Sequence, residues 1–166
     1  MTQTGTLPPF QELLDEHSRD VLGFLVASVG HDDADDCFQE TFIAALRAYP
    51  KLEHADNLRS WLLTIAHRKA IDHQRAGSRR ARPAGSPDEV GGRVAVPDRG
   101  LEAVGNADGK LLKAISVLPP KQRSAVLLRY AGDMAYARIG EMLDCSPDAA
   151  RRNVHEGLKK LRGELR

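Results

Sequence analysis

Between His31 and Leu46 every charged side chain is an acid: Asp32, Asp33, Asp35, Asp36 and Glu40. Carboxylates at this density could hold a divalent cation, prime a water for hydrolysis, or present an anionic surface to a basic partner. Spacing separates these possibilities. On a helix, Asp36, Gln39, Glu40 and Ile43 recur at three and four and share one outward stripe, while the other aspartates point elsewhere and no histidine joins the stripe. A nuclease built on Asp32 to Asp36, or on Asp72 and His73, lacks a convergent set of catalytic groups. Docking onto a basic partner is the better reading, because the lysines that normally intersperse a solvated helix are missing here.

The cations stand elsewhere. From Arg75 to Arg82 every charge is positive, and residues 147–166 carry Arg151, Arg152, Lys159, Lys160, Arg162 and Arg166 against Asp148, Glu156 and Glu164. Such clusters fit phosphates, each neutralised one adding salt-sensitive affinity. The net charge of +1, from 24 Lys and Arg against 23 Asp and Glu, averages this segregation away. Opposite signs on different segments predict two different partners.

With 166 residues, 42% hydrophobic and 5% aromatic, the chain has material for one compact domain or two small ones with modest cores. Residues 1–9 lack the basic start and apolar centre of a secretory signal, and no apolar run approaches the roughly 20 residues that cross a bilayer. A cytoplasmic location without membrane insertion is expected. Cys37 and Cys145 belong to no C-x-x-C pair, which predicts free thiols rather than a zinc site or disulfide.

The elements that must position these residues are helical almost throughout. Phe10, Leu13, Leu14, His17, Val21, Phe24 and Leu25 line one face of a first helix ending near Gly30. Asp33 is then placed to cap a second helix, with Ala34, Cys37, Phe38, Thr41, Ala45 and Leu46 inward and Pro50 closing it. A third helix starts near Asn57, with Trp61, Leu62, Ile65 and Ala66 on its core side and Ser60, Thr64, His67, Arg68, Ile71 and Arg75 emerging on another. Residues 77–109, rich in Gly and Pro, read as a flexible linker with one short helical turn at 101–104. A second module opens with Leu111, Leu112, Ile115 and Leu118, and Pro120 fits a first helical position. A helix at 121–130 follows. Residues 134–143 and 147–165 then form two helices about the polar turn Asp144-Cys145-Ser146, a helix-turn-helix whose second member is basic. In that last helix Ala150, Val154, Gly157, Leu158, Leu161 and Leu165 pack inward, leaving Arg151, Arg152, His155 and Lys159 outside. The fold class is all-α: two small helical domains, 1–76 and 110–166, the second with a helix-turn-helix.

Three motifs carry a family resemblance. Asp33-Ala34-Asp35-Asp36-Cys37-Phe38-Gln39-Glu40-Thr41-Phe42 is similar to D-A-E-D-x-x-Q-E-x-F. The run from Trp61 through Leu62, Ile65, Ala66, His67, Arg68, Ile71 and Asp72 to Arg75 is similar to W-L-x-x-I-A-R-N-x-x-I-D-x-x-R. Leu118-Pro119-Pro120-Lys121-Gln122-Arg123 matches L-P-x-x-x-R. In this order they resemble the bacterial RNA polymerase sigma factors of the extracytoplasmic-function class, which retain regions 2 and 4.

The resemblance implies a transcription initiation factor that does no covalent chemistry and needs no cofactor. It implies that Asp35, Asp36, Gln39, Glu40 and Ile43 dock on the clamp-helix coiled coil of the largest subunit of core RNA polymerase. It implies further that the third helix and the loop at 53–58 bind the minus-ten element as it melts, through Asp56, Asn57, His67, Arg68, Lys69, His73 and Arg75. Arg151, Arg152, His155 and Lys159 would read the minus-thirty-five element of promoter DNA. An anti-sigma protein is an expected partner. The chain departs from the pattern at His67-Arg68 for Arg-Asn, Arg138 and Gly140 for Glu and Ala, Asp148-Ala149-Ala150 for Gly-Thr-Val, and Glu156 for Arg. A self-sufficient helix-turn-helix regulator would account for the C-terminal half but leaves the acidic helix unexplained.

Overall fold

The computed structural model describes residues 7–54, 56–81 and 106–166. The described residues hold α1 (Phe10–Val29), α2 (His31–Ala48), a 3-10 turn (Tyr49–Lys51), α3 (Leu58–Ala81), α4 (Asn106–Ser116), α5 (Pro120–Tyr130), α6 (Tyr136–Leu143) and α7 (Pro147–Glu164), and no strand.

Helices α1, α2 and α3 pack pairwise into a three-helix unit. Gly30, at φ 88, divides α1 from α2 in a conformation that costs glycine nothing. It also occupies the cap position of α2, so the expected Asp33 cap is corrected: Asp33 lies in the first turn, at the positive end of the helix dipole. Most of the chain's few aromatic rings gather at one end of the unit. Phe10 meets Phe42 at 6.4 Å and Tyr49 at 5.4 Å, Phe38 lies 4.7 Å from Phe42, and Tyr49 lies 6.2 Å from Trp61. The Tyr49 hydroxyl also donates to the Pro8 carbonyl. These contacts anchor the entry to α3.

The second unit is built on α7, which packs against α5, α6 and α4. Pro120 starts α5 as its spacing predicts, and Pro119 stands at the cap. The helix-turn-helix is α6 and α7, with α6 beginning two residues later than its pattern suggests. Asp144 closes α6 in the left-handed region, and the Ser146 hydroxyl oxygen accepts from Ala149 N at 3.1 Å to cap α7. Gly140 is where the turn folds back: a Cβ there would stand 2.6 Å from the Cys145 carbonyl oxygen. Gly140→Ala is therefore expected to lower stability by about 1–3 kcal/mol, read as a fall in the urea midpoint. An unchanged midpoint would show that the turn relaxes freely.

The two units are not apart. Helix α4 lies against α1 as well as α7, α5 touches α1, and buried side chains from both halves form one core cluster. Helix α3 runs five residues past the expected boundary at 76, and α4 begins at Asn106, so both ends of the stretch 77–109 are helical. The turn expected at 101–104 lies outside the described residues. Two inward assignments are corrected. Leu46 is 54% exposed, Phe42 taking its place in the core, and Leu165 is exposed just beyond the end of α7.

Candidate polymerase and nucleic-acid interfaces

Helix α2 buries Ala34, Cys37, Thr41, Phe42 and Ala45. That choice of inner face leaves Asp36, Gln39, Glu40 and Ile43 exposed in line, with Leu46 beyond them. Ile43, 50% exposed, and Leu46 thus extend the carboxylate stripe into an apolar end, twice the apolar contact that spacing alone suggests. The anionic field is felt inside the helix as well. The Cys37 thiol is pushed up to about 11 by burial first, then by Glu40, Asp33 and Asp36, so it stays protonated.

The other acids have different surroundings. Asp33 Oδ1 lies 3.2 Å from His73 Nε2, tying the start of α2 to α3. Asp35, also exposed, borders a groove of about 450 Å³, where with Arg19 and His31 it supplies the polar lining beside Leu22, Gly23, Val26, Ala34, Leu111 and Leu112. Among the described residues no group of three or more His, Cys, Asp or Glu could hold a metal ion.

On α3 the expected nucleic-acid residues separate. Arg68, Asp72, Arg75 and Arg79 are exposed and recur at four, three and four, a single cationic stripe interrupted by one acid. Lys69 is half-buried. His73 is also half-buried, and its ring faces Asp33 rather than open solvent. Asp56 and Asn57 are exposed in the turn before the helix, next to Ala55, which lies outside the described residues. Asn57 has a structural duty there: in the left-handed region at φ 53, it accepts from Ser60 N through Oδ1 at 3.1 Å and so caps α3.

His67 requires correction. Expected on the emerging face, it is only 5% exposed, and Thr64 one turn earlier is buried too. The cover comes from the other half of the chain. Arg138, Glu141 and Met142 of α6 line one gap with His67 and Arg68, while Pro120, Arg123 and Ser124 of α5 line another with His67, Ala70, Ile71 and Gln74. Burial, and secondarily Arg68, lowers the imidazole to about 4, so it is neutral at pH 7.

On α7, Ala150, Val154, Gly157 and Leu161 are buried and set the helix onto α5. Arg151, His155 and Lys159 repeat every four residues on the exposed side, with Arg152 and Glu156 beside them. Arg151 is not free-standing: its guanidinium carbon lies 5.2 Å from the centre of the Tyr136 ring, whose other cation is Arg129 at 4.5 Å. Neither Arg129 nor Tyr136 was singled out by spacing, since an aromatic at a helix start reads equally well as core.

Anionic helix, cationic stripe and helix-turn-helix thus occur on one all-α chain, and comparison with known proteins gives the class. Residues 13–80 match sigma-70 region 2, and residues 108–161 match sigma-70 region 4. The RNA polymerase sigma factor CarQ of Myxococcus xanthus is 32% identical over 165 residues, spanning 97% of this chain and 93% of its own. The ECF sigma factor SigX of Bacillus subtilis is 28% identical over 162 residues, spanning 94% and 83%. The solved structure of sigma factor RpoE from Bartonella quintana, in complex with the anti-sigma factor NepR, agrees in fold: TM-score 0.70 at 21% identity, with 94% of this chain and 96% of that one covered.

The chain belongs to the RNA polymerase sigma factors of the extracytoplasmic-function class. It binds core polymerase and directs promoter recognition and transcription initiation.

Proposed function

We propose that initiation is divided among three surfaces of this chain. The outer face of α2, with Asp36, Gln39, Glu40, Ile43 and Leu46, attaches to the clamp helices of the polymerase largest subunit. The turn at Asp56 and Asn57 and the stripe of Arg68, Arg75 and Arg79 hold the minus-ten strand, with Lys69 at its edge. The exposed side of α7 reads the minus-thirty-five element through Arg151, Arg152, His155 and Lys159. Carrying this reading is the exposed carboxylate row ending in two apolar side chains, a pattern that suits a basic, partly apolar protein groove and repels DNA.

His67 falls outside the strand-binding set while α5 and α6 cover it. A strand can follow α3 through this point only once the two halves have separated, so the initiating form is open. Connection of the halves through residues 82–105 then makes the second promoter contact intramolecular. No covalent chemistry is needed: melting draws on contacts that the unpaired strand offers and the duplex does not. A cytoplasmic location fits a chain whose described helices include none long and apolar enough to cross a membrane. An anti-sigma partner is inferred because the structurally similar Bartonella quintana sigma factor is held by one.

Core polymerase supplied with wild type, Asp36→Lys and Glu40→Lys chains tests the assignment by co-elution and run-off transcription. Attachment is expected to fall at least about tenfold in each variant, because reversed charge meets like charge in the groove. Equal attachment by all three chains would refute the α2 assignment.

A further inference from the structure

We propose that Tyr136 is a positioning residue for promoter reading, holding the guanidinium of Arg151 at the leading end of α7 before DNA arrives. The inference rests on the assignment of α7 to the minus-thirty-five element.

The ring belongs to α6 and the arginine to α7, so their stack crosses the turn of the helix-turn-helix. Tyr136 is the first residue of α6 and half-buried. The ring is held by Arg129 of α5, whose guanidinium carbon lies 4.5 Å from the ring centre. Arg129 is itself tethered, because its Nη1 donates to the Met134 carbonyl at 2.8 Å. That bond closes the α5–α6 connection, where Asp133 sits in the left-handed region at φ 50. The chain of constraint therefore runs from the α5–α6 loop through Arg129 to the ring, and from the ring to Arg151.

Arg151 has no other anchor of this kind. It is exposed, and among the described residues no carboxylate pairs with it. A guanidinium reads a guanine edge through a planar, bidentate fork, so its plane matters as much as its charge. Stacking on an aromatic face restricts that plane while leaving the N–H donors free at the edge. A side chain already ordered before binding loses less freedom on contact. Among the described residues Arg152 and Lys159 have no such aromatic partner, so Arg151 is the cation of this row that the fold holds against a ring.

The test uses the full chain bound to core polymerase and a pool of DNA duplexes of randomised sequence. Enriched sequences define the upstream element for wild type, Tyr136→Phe, Tyr136→Leu, Arg151→Lys and Arg151→Ala, and affinities are then measured on the best wild-type duplex. Tyr136→Phe keeps the ring and is expected to match wild type. Tyr136→Leu is expected to bind about three- to tenfold more weakly, as for one rotamer-rich side chain left to order on binding. It should also blur the same base-pair preference that Arg151→Ala erases. Arg151→Lys keeps the charge at an exposed position and loses the stacked plane, so it should behave like Tyr136→Leu even if the leucine chain folds poorly. In the Arg151→Ala background, Tyr136→Leu should have no further effect.

If Tyr136→Phe fails as badly as Tyr136→Leu, the hydroxyl is the active group and the proposal is overturned. Wild-type affinity and preference in both Tyr136→Leu and Arg151→Lys would overturn it too, as would full additivity with Arg151→Ala. A wild-type chain that enriches no upstream sequence at all would instead refute the α7 assignment, and this proposal with it.

Discussion

Lowering the pH from 7 to 5 is expected to cost the folded, closed chain about 2 kcal/mol through His67 alone. The imidazole is held at about 4 by burial and by Arg68, against an ordinary value of 6.5. Its folded form therefore resists protonation, while an unfolded or opened form takes up the proton readily. The stabilising contribution is complete above about pH 6.5 and is lost progressively as pH falls toward 4. Among the described residues, no carboxylate pairs with the ring to offset the penalty. Arg68 adds positive charge beside the ring, and Glu141, the one acid among the residues that line its two gaps, lies 3.0 Å from Arg138.

Urea titrations of wild type and His67→Gln at pH 7 and pH 5 isolate the effect, because glutamine keeps a polar side chain that does not titrate. Wild type should lose about 2 kcal/mol more than the variant between the two conditions. Equal losses would mean that the ring is solvated in solution and that α5 and α6 do not cover α3. Because the cover comes from the other half of the chain, the same linkage favours the open form at low pH, by about thirtyfold at pH 5.

Arg123→Met should destabilise the chain by about 3 kcal/mol. Arg123 closes the L-P-x-x-x-R motif, and the structure gives it an internal task. It is only 4% exposed, and Nη2 donates to the carbonyls of Ser116 at 3.1 Å and Leu118 at 3.0 Å. Those carbonyls lie at the end of α4 and in the turn before α5, where a helix leaves acceptors unpaired. Methionine fills similar space but abandons both acceptors in the interior. Burial lowers the guanidinium from its usual value, yet arginine remains charged at pH 7, so both bonds are charge-assisted. Arg123→Lys should recover only part of the loss, since a single ammonium does not reproduce the fork. The urea midpoint reads the stability, and amide exchange at Leu128 and Leu161 locates it. Wild-type stability in Arg123→Met would show that the two carbonyls find water instead.

Much of the fold was legible because helical periodicity is a local signal. Val21, Phe24, Leu25, Ala34, Cys37, Thr41, Ala150, Val154 and Leu161 are buried where their spacing of three and four places them. Gly30 and Pro120 mark boundaries through backbone constraints that belong to those residues alone. The acidic row of α2 and the basic row of α7 were readable for the same reason: burying one face of a helix fixes the opposite face as exposed.

Other features were set by neighbours distant in the chain. His67 stands four residues after buried Leu63 and three before buried Ala70, on a different side of α3 from Arg68, and what covers that side is α5 and α6 rather than anything within the helix. His73 is turned by Asp33, forty residues earlier, and Gln74 is held by its Nε2 donating to the Ser28 carbonyl at 2.9 Å. Asp33 does not cap α2, because Gly30 had already allowed the chain to turn one residue after α1.

The sequence by itself determined the helices, their inner faces and the segregation of charge, since each follows from residues within a turn or two of one another. Only the tertiary structure decided which outer faces remain open. The burial of His67, the pairing of His73 with Asp33, and the stack of Arg151 on Tyr136 all depend on contacts between elements far apart in the chain, and no local pattern encodes the free energy of those contacts.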